Sequence, residues 1–345
     1  MKETSTQPAT PVAPQPEAPP RPIFVVGMNG SGTTMLLDCL GRHPQLYAFP
    51  RETRLIPYLM SREAGFGDLK VEANYRRLWD EVSNLFVFRE ANGGVPVPMP
   101  ADWQQRPRSL ASVLDAVFGH FAAAQGKHRW CEKTPQHVQH IAALAVRFPQ
   151  ARFVHMVRDG RDCAASFARR WKRQPELTIF RWKKVVLAGR RQGEALSAGS
   201  YREVRYEDLT AQPEATLRSL CDFLGLPFDA AILESAQPYL QGAGEGGRSL
   251  RENSGKWRRQ FDERLQRRLE RIAGRVLASC GYQTNAPDAD VNPPGWKRRY
   301  WSAAEILRQY GREIGLKLKG DIQRPWRVIL MKPLIALRQR QHNEF

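Results

Sequence analysis

The sequence predicts an α/β fold: a parallel sheet flanked by helices on both faces, in a single main domain. Two observations carry this reading. Residues 23–26 are Ile-Phe-Val-Val, an apolar, mostly β-branched run that enters a turn holding Gly27, Gly30 and Gly32. An apolar-periodic segment leaves that turn, the pattern of buried strand, tight loop and helix. Further strand-like runs at 129–133, 152–157 and 201–209 are separated by helical stretches, and strands alternating with helices argue for parallel pairing. Ligands of such sheets bind beyond the carboxyl ends of the strands, where the 27–32 loop, Lys133, Arg158 and Glu207 all fall.

In chain order, residues 1–20 are Pro-rich and lack aromatics, so they are expected to be disordered. The first helix runs from Thr33 and ends near His43-Pro44, because proline disfavours helix at the preceding residue. Glu52 and Arg54 follow the loop that returns from that helix and are placed to face the turn. From 58 to 126 the chain reads as helices with a loop at 92–102, and Leu110, Val113, Leu114, Val117, Phe118 and Phe121 keep a helical period that implies packing. A strand at 129–133 ends in Lys133-Thr134-Pro135, followed by a helix from 137 to 148. The 152–157 strand leads through Arg158, Asp159, Gly160, Arg161 and Asp162 into a helix carrying Ser166, Arg169, Arg170 and Trp171. Helices are expected at 179–196, 213–223 and 262–279, with a strand at 201–209. The glycine-rich stretch 242–247, followed by the basic and aromatic cluster 251–261, reads as a lid over an anionic ligand. The main domain is therefore expected at 21–284. Residues 285–345 form a basic, partly helical extension with Leu307, Tyr310, Ile314 and Leu318 on one face.

Composition limits what this protein does. A chain of 345 residues, 42% hydrophobic, fills the core of one large α/β domain. The formal charge is +18, which asks for an acidic partner. Residues 296–345 alone carry 12 Lys or Arg against 4 Asp or Glu, a basic feature suited to peripheral contact with a membrane surface or to docking on the domain. The basic residues are not interleaved with aromatics in a recognised module, which argues against nucleic acid. No run approaches the about 20 apolar residues of a membrane span, and the first residues lack an apolar signal core, so a cytoplasmic protein is expected. The five cysteines, Cys39, Cys131, Cys163, Cys221 and Cys280, lack C-x-x-C spacing and read as small buried hydrophobes rather than disulfide or zinc partners. His43, His137, His140 and His155 lack ligand spacing and read as structural.

The glycine turn is a phosphate cradle. Glycine permits positive φ and close backbone approach, and a helix N-terminus adds partial positive charge. The G-x-x-x-x-G spacing followed by Thr33-Thr34 is P-loop-like, but Thr33 stands where a kinase places its lysine. Such a loop holds a phosphate and is poorly equipped to split a β–γ bond.

With the 27–34 loop, Lys133, Arg158 with Ser166, and Lys256-Trp257 in this order, the chain resembles the sulfotransferases that use 3′-phosphoadenosine 5′-phosphosulfate (PAPS) over about 22–284. It is most similar to their tyrosylprotein branch through Ser31-Gly-Thr-Thr34, His43-Pro44, Glu52-Thr-Arg54-Leu-Ile-Pro57, Met156-Val-Arg158-Asp-Gly-Arg161 and Lys256-Trp257. The resemblance implies PAPS as donor and 3′,5′-ADP as product. Asn29, Gly30, Ser31, Gly32, Thr33 and Thr34 would hold the 5′-phosphosulfate, with N–H and hydroxyl donors from Ser31 onward. Arg158 and Ser166 would bind the 3′-phosphate; Arg170, one turn beyond Ser166, shares its helix face and would add a third contact. Tyr206, Ser254 and Lys256 would contact the adenosine or its phosphates. Lys133 would offset charge on the leaving oxygen, and Glu52 would be the general base. No metal is implied, since a sulfuryl group carries less charge than a phosphoryl group.

Two departures from the branch stand out: Gly30 replaces a loop arginine, with Arg51 or Arg54 as candidate substitutes, and Phe49 replaces a cysteine, leaving Cys131 without that partner. The acceptor hydroxyl thus stays open between a tyrosine in an acidic peptide and a sugar, lipid or small molecule. Arg161 reads more simply as a partner of Asp159 and Asp162. Tyr206 and Trp257 also read as core aromatics, and Glu52 as a partner of Arg54. A homodimer, a non-catalytic nucleotide-binding or membrane-docking scaffold, and a P-loop kinase complete the alternatives.

Overall fold

The computed structural model describes residues 21–234 and 254–318. The expected N-terminal disorder and the 242–247 lid lie outside them. Five strands, β1 (Ile23–Gly27), β2 (Leu46–Ala48), β3 (Arg129–Lys133), β4 (Arg152–Val157) and β5 (Tyr201–Arg205), form one sheet in the order β2-β3-β1-β4-β5. All four pairings are parallel. Val25 lies opposite Lys133 and Gly27 opposite Met156, so β3 ends just short of β1 and β4 just past it. Chain order reverses on either side of β1, the crevice where ligands of open α/β sheets bind.

Before β3 come α1 (Thr33–Gly41), α2 (Ile56–Arg62), α3 (Glu72–Ser83), α4 (Phe86–Ala91) and α5 (Leu110–Ala123). Next are α6 (Ile141–Arg147), α7 (Gly160–Trp171), α8 (Pro175–Glu194), α9 (Tyr206–Ala211), α10 (Pro213–Leu224) and α11 (Ala231–Glu234). After 254 follow α12 (Trp257–Gln260), α13 (Glu263–Ser279) and α14 (Gly295–Leu318). Alternate residues of β1 point to opposite faces. Phe24 and Val26 pack in the cluster that includes α3 and α5, while Ile23 and Val25 pack with α1 and α10. A third apolar cluster joins α7, α8, α12 and α13 beyond the end of β4.

Several elements differ from the sequence reading. β2 was not expected. The strand at 201–209 stops at Arg205, and Tyr206, Leu209 and Thr210 bury one face of α9 at helical spacing instead. The helix expected from 137 begins as a 3₁₀ turn, Pro135–Gln139, and becomes α-helical at Ile141. The sequence did not say which side of α14 packs on the domain: Leu307 is 67% exposed, while Glu305 and Ile306 are buried. Glu305 turns inward because Arg181 of α8 donates to it at 2.7 Å. The link before α14 is tied to the domain as well. Lys183 Nζ donates to Ile272 O at 2.9 Å, to Asn292 at 2.8 Å and to Asp290.

Candidate active site

The loop after β1 takes its shape from three glycines. Gly27, Gly30 and Gly32 have φ of +147°, +84° and +98°, a region that L side chains rarely adopt. Space closes the same positions. A Cβ on Gly27 would meet Met156 O at 2.5 Å, one on Gly30 would meet Phe167 at 3.0 Å, and one on Gly32 would meet the Tyr206 ring at 2.5 Å. Gly32 is the N-cap of α1 and caps it without a side chain, so the first-turn N–H groups of α1 have no intrahelical partner. The Ser31 N–H is already used, donating to Met28 O at 3.1 Å. The Ser31 hydroxyl is buried and has no hydrogen-bond partner among the described residues. Asn29 is half-buried, Thr33 buried and Thr34 exposed.

Across the sheet edge, Lys133 Nζ donates to Glu52 Oε1 at 2.9 Å. Arg54 Nε donates to Glu52 Oε2 at 2.7 Å, and its Nη2 reaches the same oxygen. Burial pushes the Glu52 carboxyl up, but hydrogen bonds and charge from Lys133 and Arg54 outweigh it and hold the pKa below the ordinary glutamate value. Lys133 is 7% exposed, so this is a half-sheltered charge pair. The pair is held in register from behind. Glu132, fully buried, accepts from Thr53 N at 3.2 Å, Thr53 Oγ1 at 2.9 Å, His137 Nδ1 at 3.1 Å and Thr134 Oγ1. Burial pushes the Glu132 carboxyl up, yet His137 and the threonine donors bring it below the ordinary value. Thr53 and Thr134 neighbour Glu52 and Lys133 in sequence, so one buried carboxylate fixes both segments. The sequence reading missed this anchor; its signal was a carboxylate at an inward position of β3 with Thr134 and His137 close behind.

Arg158, just past β4, donates from Nη1 to Gly30 O at 3.1 Å, and its guanidinium stacks 4.3 Å from the Tyr206 ring centre. Burial pushes Arg158 down, but surrounding acidic groups prevail and raise it. Tyr206 is 2% exposed and lies behind the loop as a prop between Gly32 and Arg158. Ser166 is half-buried and Arg170 exposed along α7, where Phe167 fills the space against Gly30. Ser254 and Lys256 are half-buried and are brought to α7 by Asp162, which accepts from Gly255 N at 2.7 Å and from Trp257 N at 3.2 Å. Trp257 is buried over Arg161, 3.9 Å from its guanidinium. Arg161, 1% exposed, donates to Asp159 at 2.8 and 3.0 Å and to Glu270 at 2.7 Å. Its role is that of a carboxylate partner, as the simpler reading had it, but the pairing is buried and includes Glu270 in place of Asp162.

The arrangement brings a glycine loop, a helix N-terminus, a buried arginine and a lysine–carboxylate pair to the carboxyl ends of one parallel α/β sheet, a chemistry suited to an anionic ligand. The chain belongs to the sulfotransferase family: the profile described as "Sulfotransferase family" matches residues 22–230. Protein-tyrosine sulfotransferase 1 of Danio rerio is 25% identical over 294 residues, covering 80% of this chain and 75% of that protein. Protein-tyrosine sulfotransferase A of Caenorhabditis elegans is 25% identical over 226 residues, 62% of this chain, which spans 52% of that relative. Among solved structures, the sulfotransferase domain of the Synechococcus PCC 7002 olefin synthase matches with a TM-score of 0.53 at 24% identity, over 78% of this chain and 98% of that one. This last likeness establishes the fold.

Proposed function

We propose that this protein moves a sulfuryl group from PAPS to an acceptor hydroxyl. The observation that carries the reading is the Glu52–Lys133 pair, 2.9 Å apart, at the same sheet edge as the glycine loop. The residues fit a phosphorylated donor: the loop keeps Cβ atoms out of the cradle, and the buried Ser31 hydroxyl lacks a partner among the described residues. PAPS, when bound, supplies the transferable sulfuryl group and a phosphate leaving group. The 29–34 loop and the α1 N-terminus hold its 5′ end, Arg158, Ser166 and Arg170 its 3′-phosphate, and Ser254 and Lys256 the remainder of the nucleotide. Tyr206 acts through Arg158, by holding its guanidinium plane.

Glu52 accepts the acceptor's proton. Its two oxygens are each engaged by a cation, which keeps the carboxylate ionised and leaves lone pairs open for that proton. Lys133 places positive charge where the leaving oxygen gains negative charge. Gly30, where the tyrosylprotein branch has arginine, follows from packing. Phe167 occupies the adjoining space, and the positive φ disfavours a side chain, so Arg54 becomes the cation beside the base. A tyrosine within an acidic peptide is the acceptor we favour, supported by the charge of +18 and by the two tyrosylprotein relatives. A reducing setting suits the five cysteines, which are all buried free thiols.

The test is transfer from labelled PAPS to an acidic tyrosine peptide, with Glu52→Gln alongside. Loss of a general base lowers turnover by about 10²–10⁴-fold while 3′,5′-ADP affinity stays near wild type. An equal loss of both assigns Glu52 to structure. Transfer to a sugar or lipid hydroxyl and not to the peptide overturns the acceptor alone.

A further inference from the structure

We propose that the outward face of α14 docks this protein on an anionic phospholipid bilayer. The inward face is already used: Arg181 binds Glu305 at 2.7 Å and Ser302 at 3.0 Å, Ile306 is buried, and Arg308 donates to Lys172 O at 3.0 Å. The opposite face carries Trp296, Tyr300 and Leu307, each 67% exposed. Spacings of four and seven residues align them in one stripe, with exposed Ala303 between. Single exposed apolar residues need no explanation, but two aromatic rings and a leucine in line on one helix mark an interaction surface.

The chemistry of the stripe selects the partner. Trp and Tyr combine an apolar ring with a polar tip, which suits headgroup depth. Lys297 and Arg299 are exposed beside them, as on helices that lie in a bilayer interface and meet acidic lipid. The amino-acid sequence keeps this character beyond α14, with Trp326 and the apolar runs 328–331 and 334–337 set among Lys and Arg. Among the described residues no helix is long and apolar enough to cross a membrane, so the contact is with the surface. This inference does not rest on the sulfotransferase reading.

The experiment is vesicle flotation of the full chain, using phosphatidylcholine alone and phosphatidylcholine with phosphatidylserine, at low and high salt. Binding to the phosphatidylserine vesicles at low salt and release at high salt are expected. A Trp296→Ala, Tyr300→Ala, Leu307→Ala variant loses about tenfold or more in partitioning, and Lys297→Gln with Arg299→Gln loses roughly fivefold per charge. Both variants keep the wild-type melting temperature and 3′,5′-ADP affinity, readouts that follow the fold and the donor site separately. The proposal is overturned by absence of binding, by equal binding to neutral vesicles, or by full binding of the apolar variant. It is also overturned if that variant instead dissociates a dimer or releases bound nucleic acid.

Discussion

Replacing Gly32 with Ala places one methyl group at the centre of the proposed donor site. The backbone there has φ of +98°, and the new Cβ would lie 2.5 and 3.0 Å from two Tyr206 ring carbons. Holding a non-glycine residue in such a conformation costs about 1–3 kcal/mol, and forcing a side chain into packed surroundings costs about 1–3 kcal/mol more. The expected loss is therefore roughly 2–6 kcal/mol, a large share of the about 5–15 kcal/mol that stabilises most domains. Relief requires Tyr206 to move, and Tyr206 carries the Arg158 guanidinium 4.3 Å from its ring centre, so nucleotide affinity falls with stability. Urea denaturation measures the first quantity and calorimetry with 3′,5′-ADP the second. A double-mutant cycle with Tyr206→Leu separates the steric part, which the second change relieves, from the backbone part, which it does not. A Gly32→Ala protein with wild-type stability and affinity refutes the reasoning that the positive-φ loop and its aromatic prop form the site.

Arg54→Ala removes one of the two cations that hold the Glu52 pKa below its ordinary value of 4.5. Because that pKa is depressed, the ionised base persists to lower pH, so the acid limb of kcat/KM lies below the ordinary value in the wild type and moves up in the variant. The same sign governs stability: the contribution of Glu52 is present above the ordinary value and lost as pH falls through the folded one. An unmoved acid limb would show that a different group carries the base. Arg161→Ala leaves Asp159 and Glu270 as buried carboxylates without their shared cation, which costs about 3–5 kcal/mol; thermal melts check this, and a loss under 1 kcal/mol would contradict it.

The sheet and the loop were legible because burial dictates both residue types and spacing. Strand β1, covered on both faces, is apolar throughout, β4 is apolar except at Arg152 and His155, and Gly27, Gly30 and Gly32 mark backbone that other residues rarely adopt. Lys133, Arg158 and Ser166 stood out in the sequence through their order after strands and through the resemblance, and their roles belong to the proposal. What escaped was decided by tertiary partners or by short length. β2 spans three residues, too few for periodicity to register. α9 begins where the Tyr206 side chain turns under Gly32, so a run that alternates through Val204 and Tyr206 ends as helix. The Glu132 anchor joins residues about 80 positions apart, and Asp162 reaches the 254–257 segment over a similar separation. Which side of α14 packs on the domain was not legible either, because Arg181 on a distant helix rewards turning Glu305 inward.

The most direct test of the central claim is calorimetric binding of 3′,5′-ADP against 5′-AMP, ADP and ATP, with Arg158→Ala beside the wild type. A site built from the glycine loop, Arg158 and Ser166 predicts strong preference for 3′,5′-ADP, lost in the Arg158 variant. Tighter binding of ATP, strengthened by magnesium and indifferent to Arg158, would contradict the account and favour phosphoryl transfer in its place.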